Sequence, residues 1–219
     1  MSVQALSEAY IIQRLKETRQ SKPESSNLWE FLTATSRPAA VLIPLFHLEA
    51  PVSELSSWQV LLTRRTNSVA EHQGQVAFPG GRADPSDTTP EMTALREAHE
   101  EVGLDPTQVK ILGRMDPMWT ISNFLVTPIV GVIPWPFQVE VEETEVSRVF
   151  SIPLAWLADP KNHEVRYRTI PNPIARVLHK EKHPVIYFQP YDGEILWGVS
   201  AEITLRLIEI LYESKLVGE

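Results

Sequence analysis

The sequence predicts an α/β protein built around one core. Short, near-continuous apolar runs at 40–46 and 58–64 have the length and character of strands covered on both faces. The stretch 95–102 is amphipathic with a helical period, and residues 198–212 close the chain as a second helix with Ala201, Leu205, Ile208 and Leu211 on one face. The 219 residues, 43% hydrophobic and 22% charged, suffice for one sizeable core and an N-terminal extension. Internal repeats, low-complexity tracts and a clear second domain are absent from the sequence.

Residues 1–20 hold no apolar stretch long enough for a signal peptide or a membrane span. Ala9, Ile12 and Leu15 recur at helical spacing and predict an amphipathic helix. Lys22 to Arg37 is polar and Pro-bearing, broken by Leu28, Trp29, Phe31 and Leu32, as in a connecting segment that packs locally. The division expected is thus a helix and connecting extension over 1–37 and a main domain over 38–219. The extension is read as a cap on the core, with a substrate-binding or swapped arm as the alternative.

Strands are predicted over 40–46, 58–64, 109–115 and 126–133, with a turn at 53–57. The loop 116–124 carries Trp119 and Phe124, which either wall a site for a planar group or cap the core. A second loop, 135–145, ends in the acids Glu140, Glu142, Glu143 and Glu145. Pro153 to Leu157 begins a short helix, with Ser151 as a possible N-cap. Strands at 164–168 and 185–188 flank an excursion at 170–184. Arg166, Arg168, Arg176, Lys180 and Lys182 make this region the most basic in the chain. Surface charge is the plain reading of these five, and a phosphate contact the sharper one.

The chemistry concentrates in 78–104, where a Gly/Pro/Asp-rich approach runs into a helix carrying Glu97, Glu100 and Glu101. At about 100° per residue these carboxylates fall within about 100° of arc, with Leu95, Ala98 and Val102 on roughly the opposite side. A solvated acidic face is the usual meaning of such a run. Exposed helices, however, commonly answer Glu with Lys or Arg at i+4, and here the next base after Arg96 is Lys110. Glu101 also stands in the last turn before Gly103, where the helix dipole disfavours negative charge. Like charges crowded at the wrong helix end point to a divalent-cation site. Hard oxygen ligands favour Mg²⁺ or Mn²⁺ over Zn²⁺.

This stretch resembles the Nudix box: Gly, five residues, Glu, seven residues, Arg-Glu, an aliphatic, any residue, Glu-Glu, any residue, Gly, aliphatic. Gly81 opens it and Arg96 to Leu104 closes it without a mismatch. The middle departs from the pattern, because Asp87 stands where Glu is usual and eight residues separate it from Arg96. Asp87 to Arg96 is accordingly the expected structural ion pair, spanning a longer loop. Upstream, residues 61–66 and 72–81 resemble the signature of the coenzyme A pyrophosphatase branch of Nudix hydrolases, and the likeness covers roughly 38–214. The bases that the branch usually carries between these blocks are replaced by Ala70 and Glu71.

The resemblance implies a Nudix-type α/β/α sandwich with a mixed central β-sheet. It implies Mg²⁺- or Mn²⁺-dependent hydrolysis of a pyrophosphate bond. Coenzyme A or an acyl derivative leads as substrate, giving 3′,5′-ADP and (acyl-)4′-phosphopantetheine. Another nucleotide (ADP-ribose, NADH or a dinucleoside polyphosphate) and a catalytically silent nucleotide-binding module remain open. The metal ligands implied are Glu97, Glu100, Glu101 and the Gly81 carbonyl. Glu97 is ligand or proton acceptor, and Glu145 is a further acid brought in by its loop. Arg64, Arg65, Phe78, Gly80, Trp119 and Phe124 are the expected substrate contacts. Relatives are often homodimers, which makes a homodimer an expectation here.

Other chemistries find little support. Zero cysteines exclude disulfides and thiolate catalysis and fit a reducing, cytoplasmic setting. A net charge of −8 argues against nucleic acid or an anionic membrane as partner. The six histidines show no paired metal-ligand spacing, and His72 and His99 are read as structural. Nucleophile elbow, Walker loop and dinucleotide fingerprint are all missing from the sequence.

Overall fold

The computed structural model describes residues 6–18, 34–48, 58–66, 74–169 and 182–212. At its centre is β1 (Arg37–His47). It pairs in parallel with β7 (Phe124–Val132) from Arg37↔Phe124 to Leu45↔Val132. Antiparallel neighbours complete the sheet around it. The far end of β1 meets β2 (Trp58–Arg65) at Leu45↔Val60, and its near end meets the short β4 (Gly80–Arg82) at Ala40↔Gly81. The strand order is β3-β2-β1-β7-β5, where β3 is Val76–Ala77 and β5 is Lys110–Arg114. Two further strands, β6 (Met118–Trp119) on β7 and β8 (Val146–Pro153) on β2, bring this mixed sheet to eight strands.

Alternation along β1 decides what each face covers. Ala40, Leu42 and Phe46 point to one face, where they pack with Ala94, Ala98 and Val102 of α2 (Pro90–Val102). Ile43 and Leu45 point to the other, with residues of α1 (Glu8–Thr18) and α4 (Val199–Tyr212). With both faces covered, β1 reads as an unbroken apolar run. The result is the α/β/α sandwich. A short helix, α3 (Leu154–Leu157), follows β8, and a separate two-stranded sheet pairs β9 (His163–Thr169) with β10 (Lys182–Phe188).

Several expectations need correcting. The buried face of α1 is Ile11 and Leu15, whereas Ala9 is exposed and Ile12 only half-buried. This helix is tied to α4 by Tyr10 Oη donating to the Leu211 carbonyl (3.0 Å) and Arg14 Nε to the Ile210 carbonyl (2.8 Å). Ser151 lies inside β8 and bonds Gln59 Oε1, so α3 starts after Pro153 without a side-chain cap. The whole of β8, Val146–Pro153, is a strand that the apolar pattern did not announce. The predicted turn at 53–57, the residues Ala70, Glu71 and His72, and Arg176 and Lys180 lie outside the described residues.

Candidate active site

Helix α2 starts where its sequence says it should. Thr89 has extended backbone, its hydroxyl accepts from the Met92 N–H (3.2 Å), and Pro90 supplies a first residue that needs no donor. At the other end Gly103 takes φ 73°, and its N–H bonds the Ala98 and His99 carbonyls. A side chain at Gly103 would also strike Glu140, because a Cβ there would lie 2.8 Å from the Glu140 Cβ. The acidic loop docks at this end. Glu140 N–H donates to the Val102 carbonyl and Glu142 N–H to that of Glu101, both at 3.1 Å, satisfying acceptors that a helix C-terminus leaves open.

The carboxylates do not share one environment. Taking Glu97 as zero, Glu101 falls at about 40°, Ala94 at about 60°, Ala98 at about 100°, Val102 at about 140° and Glu100 at about −60°. Glu101 therefore sits at the border of the apolar face and is buried, only 3% exposed. Glu97 is half-buried and Glu100 is exposed. The apolar face is Ala94, Ala98 and Val102; Leu95, at its edge, is only half-buried.

Two arginines divide the acids between them. Arg96 reaches Glu97 Oε1, Glu100 Oε2 and Asp87 Oδ2, each at 2.9 Å, and also the Arg82 carbonyl at 3.0 Å. From the end of β2, Arg65 faces Glu101 Oε1 at 3.6 Å and Glu145 Oε2 at 3.7 Å. The stripe is thus answered from within α2 and from the sheet, not left uncompensated. With the acids drawn apart in this way, no three His, Asp or Glu side chains among the described residues stand as a ready-made metal shell.

The charges leave their mark on protonation. Burial pushes Glu101 up to about 8; Arg65 opposes the shift, while the charges of Glu97 and Glu145 add to it. Burial also raises Glu97, against the pull of Arg96. Asp87 moves the other way, to about 2, chiefly through its hydrogen bonds from Arg96.

The residue set fits a hard cation. Glu101 Oε2 is buried without a hydrogen-bond partner, so the ionised carboxylate is costly there unless a cation meets it. Glu97 lies against a backbone with no side chain, since a Cβ on Gly81 would stand 2.4 Å from Glu97 Oε2. All donors are oxygens, as Mg²⁺ and Mn²⁺ prefer. Beside Glu97 a cleft of 410 Å³ opens, lined by Arg82, Ala83, Asp84, Pro85 and Arg96 as well.

The remaining predicted contacts scatter. Alternation sends Arg64 and Arg65 to opposite faces of β2. Arg64 meets Glu194 at 3.4 Å on the α4 side, sharing Oε1 with Arg148 at 3.1 Å, and only Arg65 faces the carboxylates. Phe78 is buried in the core on the α1/α4 face, so its side chain is not free to touch a substrate. Gly80, φ 156°, is fixed by its fit against β1, where a Cβ would lie 2.5 Å from the Ala40 carbonyl oxygen. Trp119 pairs with Leu125 on the α2 face and its indole N–H bonds Asn123 Oδ1, whereas Phe124 packs on the opposite face under Arg37. The two aromatics do not form one wall. The Arg64–Arg148–Glu194 cluster was missed because it joins β2, β8 and a turn before α4, which no local spacing signals.

In the basic region, Arg166 and Arg168 lie over the Tyr187 ring, which stacks on Trp197. His99 is exposed on α2. Among the described residues no helix is long and apolar enough to cross a membrane.

Comparison with known proteins agrees with this geometry. The NUDIX domain model matches residues 38–172. The chain is 38% identical over 185 residues to "Uncharacterized Nudix hydrolase NudL" of Yersinia pestis, covering 82% of each chain, and equally similar to the protein of that name from Yersinia pseudotuberculosis. Among solved structures it resembles RenU, a Nudix hydrolase from M. smegmatis. That match has a TM-score of 0.52 and 19% identity, covering 84% of this chain and 91% of the other, and speaks to the fold alone. Fold, carboxylate helix and relatives agree: the chain belongs to the Nudix hydrolases, enzymes that cleave pyrophosphate linkages.

Proposed function

We propose that the chain hydrolyses the pyrophosphate bond of a nucleoside diphosphate linked to a second moiety, with coenzyme A or an acyl-coenzyme A as the leading substrate. The observation that carries the chemistry is the buried, unpartnered Glu101 Oε2, with the charges of Glu97 and Glu145 close enough to act on it. Glu100, Glu101 and the Gly81 carbonyl are the proposed ligands of Mg²⁺ or Mn²⁺, with Glu97 as ligand or proton acceptor. A bound divalent cation would neutralise phosphate oxygens and lower the pKa of an attacking water.

The chain's own residues supply position and charge. Asp87 holds Arg96, and Arg96 in turn holds Glu97 and the Arg82 carbonyl at the cleft. Glu97, raised by burial and half-exposed beside Gly81, is suited to accept a proton from water. Glu145, brought by its docked loop to Arg65, is a second acid within reach of the same place. Positioning and charge neutralisation suffice in principle without a covalent intermediate.

The coenzyme A reading rests on the signature at 61–66 and 72–81. Ala70 and Glu71 favour a second reading, ADP-ribose or a dinucleotide, because bases expected for an extra phosphate are missing there. A panel of coenzyme A, acetyl-coenzyme A, ADP-ribose, NADH and a diadenosine polyphosphate, with and without Mg²⁺ and products read by mass, decides between them. Release of 3′,5′-ADP and 4′-phosphopantetheine supports the first reading, and cleavage of another member alone supports the second. Nucleotide binding without any turnover would overturn the catalytic assignment. We further propose that residues 38–219 form the catalytic domain and that the protein acts as a homodimer in the cytoplasm.

A further inference from the structure

We propose that Arg65 is the resident cation of the carboxylate cluster in the metal-free enzyme: its guanidinium holds Glu101 and Glu145 until a divalent cation takes those oxygens, and it is then released toward the substrate's phosphates. The inference rests on the metal site proposed above and adds a role for a residue of this chain.

The contact is built to be given up. Arg65 stands 3.6 Å from Glu101 and 3.7 Å from Glu145, beyond the range of a direct hydrogen bond. Arg65 Nε and Glu101 Oε2 are both buried with no partner, although each could have satisfied the other. A pair meant for permanence looks like Arg96 and Asp87, where the guanidinium makes contacts of 2.9 to 3.3 Å to one carboxylate. Unmade bonds of buried groups cost about 1–3 kcal/mol each, so the metal-free arrangement is a poor fit.

Local structure allows the side chain to move while the backbone stays. Arg65 N–H donates to the Gln75 carbonyl (2.9 Å) and Thr66 N–H to that of Glu145 (2.8 Å), which anchors the strand end beside the acidic loop. The β2–β8 register shifts between Arg64 and Arg65, the kind of irregularity that re-aims a side chain. With 25% of its side chain exposed, Arg65 already has a way out to solvent. One buried carboxylate cannot serve two cations fully, so metal and Arg65 compete for Glu101. Competition is reciprocal: removing one competitor must tighten the other.

The test is Mn²⁺ binding to the full chain without substrate, followed by electron paramagnetic resonance, for wild type, Arg65→Met and Arg65→Lys. Arg65→Met is expected to bind Mn²⁺ at least about fivefold more tightly, and Arg65→Lys, which keeps the charge, to stay near wild type. With saturating Mg²⁺, Arg65→Met should also raise KM for whichever nucleotide is cleaved, a combination that a purely structural role does not give. Unchanged or weaker Mn²⁺ binding by Arg65→Met overturns the proposal. Should that variant fail to fold, the Arg65 Nε–Hε resonance of ¹⁵N-labelled wild type decides: it shifts on Mg²⁺ addition if Arg65 is displaced, and a resonance that does not respond overturns the idea. Wild type that binds no Mn²⁺ would sink the metal-site assignment itself, whereas wild type that binds while Arg65→Met is unaffected sinks only the role of Arg65.

Discussion

Gly81 and Glu97 share one space: a Cβ on Gly81 would lie 2.4 Å from Glu97 Oε2, while the neighbouring Gly80 would drive its Cβ into the β1 backbone at Ala40 O and Val41 Cα. The obstacle at 81 is the end of a side chain, which can swing; the obstacle at 80 is backbone, which cannot. Gly81→Ala is therefore expected to keep its thermal stability within about 1 kcal/mol and lose turnover, as Glu97 leaves its place. Gly80→Ala should instead lose about 1–3 kcal/mol of stability. Thermal melts alongside turnover separate the two, and equal behaviour of both variants would contradict the assignment.

Asp87 and Arg96 should leave a signature in acid. The Asp87 carboxyl sits at about 2 in the folded chain against an ordinary 3.8. A depressed acid contributes stability above its unfolded pKa and loses it as pH falls through the folded value. The window is thus roughly pH 4 down to pH 2. Asp87→Ala should cost about 1–3 kcal/mol at neutral pH, and this difference from wild type should shrink across that window in denaturant melts. A difference that stays constant down to pH 2 would show that the pair carries no such charge.

Trp119 ends β6 and Phe124 begins β7, and across the turn between them the two answer to opposite faces of the sheet. Phe124→Ala should lower stability by about 1–3 kcal/mol with KM little changed, because its ring packs on the α1/α4 core. Trp119→Ala should raise KM with little loss of stability. The reverse pattern, read from melts and Michaelis curves, would place the substrate on the other side.

Much of this was legible from the residues alone. The apolar runs of β1 and β2 and the periodic faces of α2 and α4 are long enough for their period to declare itself. Strands β3, β4 and β6 have two or three residues and hence no period, so Gly80–Gly81 reads as a turn until β1 is seen beside it. β8 mixes half-buried and exposed positions, which blurs its alternation. At the site, Glu97, Glu100 and Glu101 lie close on one helix and could be found by spacing. Their unequal burial depends on the sheet beneath Ala94 and Ala98, and the approach of Arg65 depends on where β2 ends relative to α2. Those are tertiary facts without a local sequence signal.

The most direct test of the account is Mg²⁺-dependent turnover of coenzyme A by wild type and Glu101→Gln side by side, with products identified by mass. Glu101 is the buried acid with the unpartnered oxygen, so its amide should cut turnover by at least about a hundredfold. Wild type with Mg²⁺ should release 3′,5′-ADP and 4′-phosphopantetheine, and the variant almost none. Full activity in Glu101→Gln would contradict it.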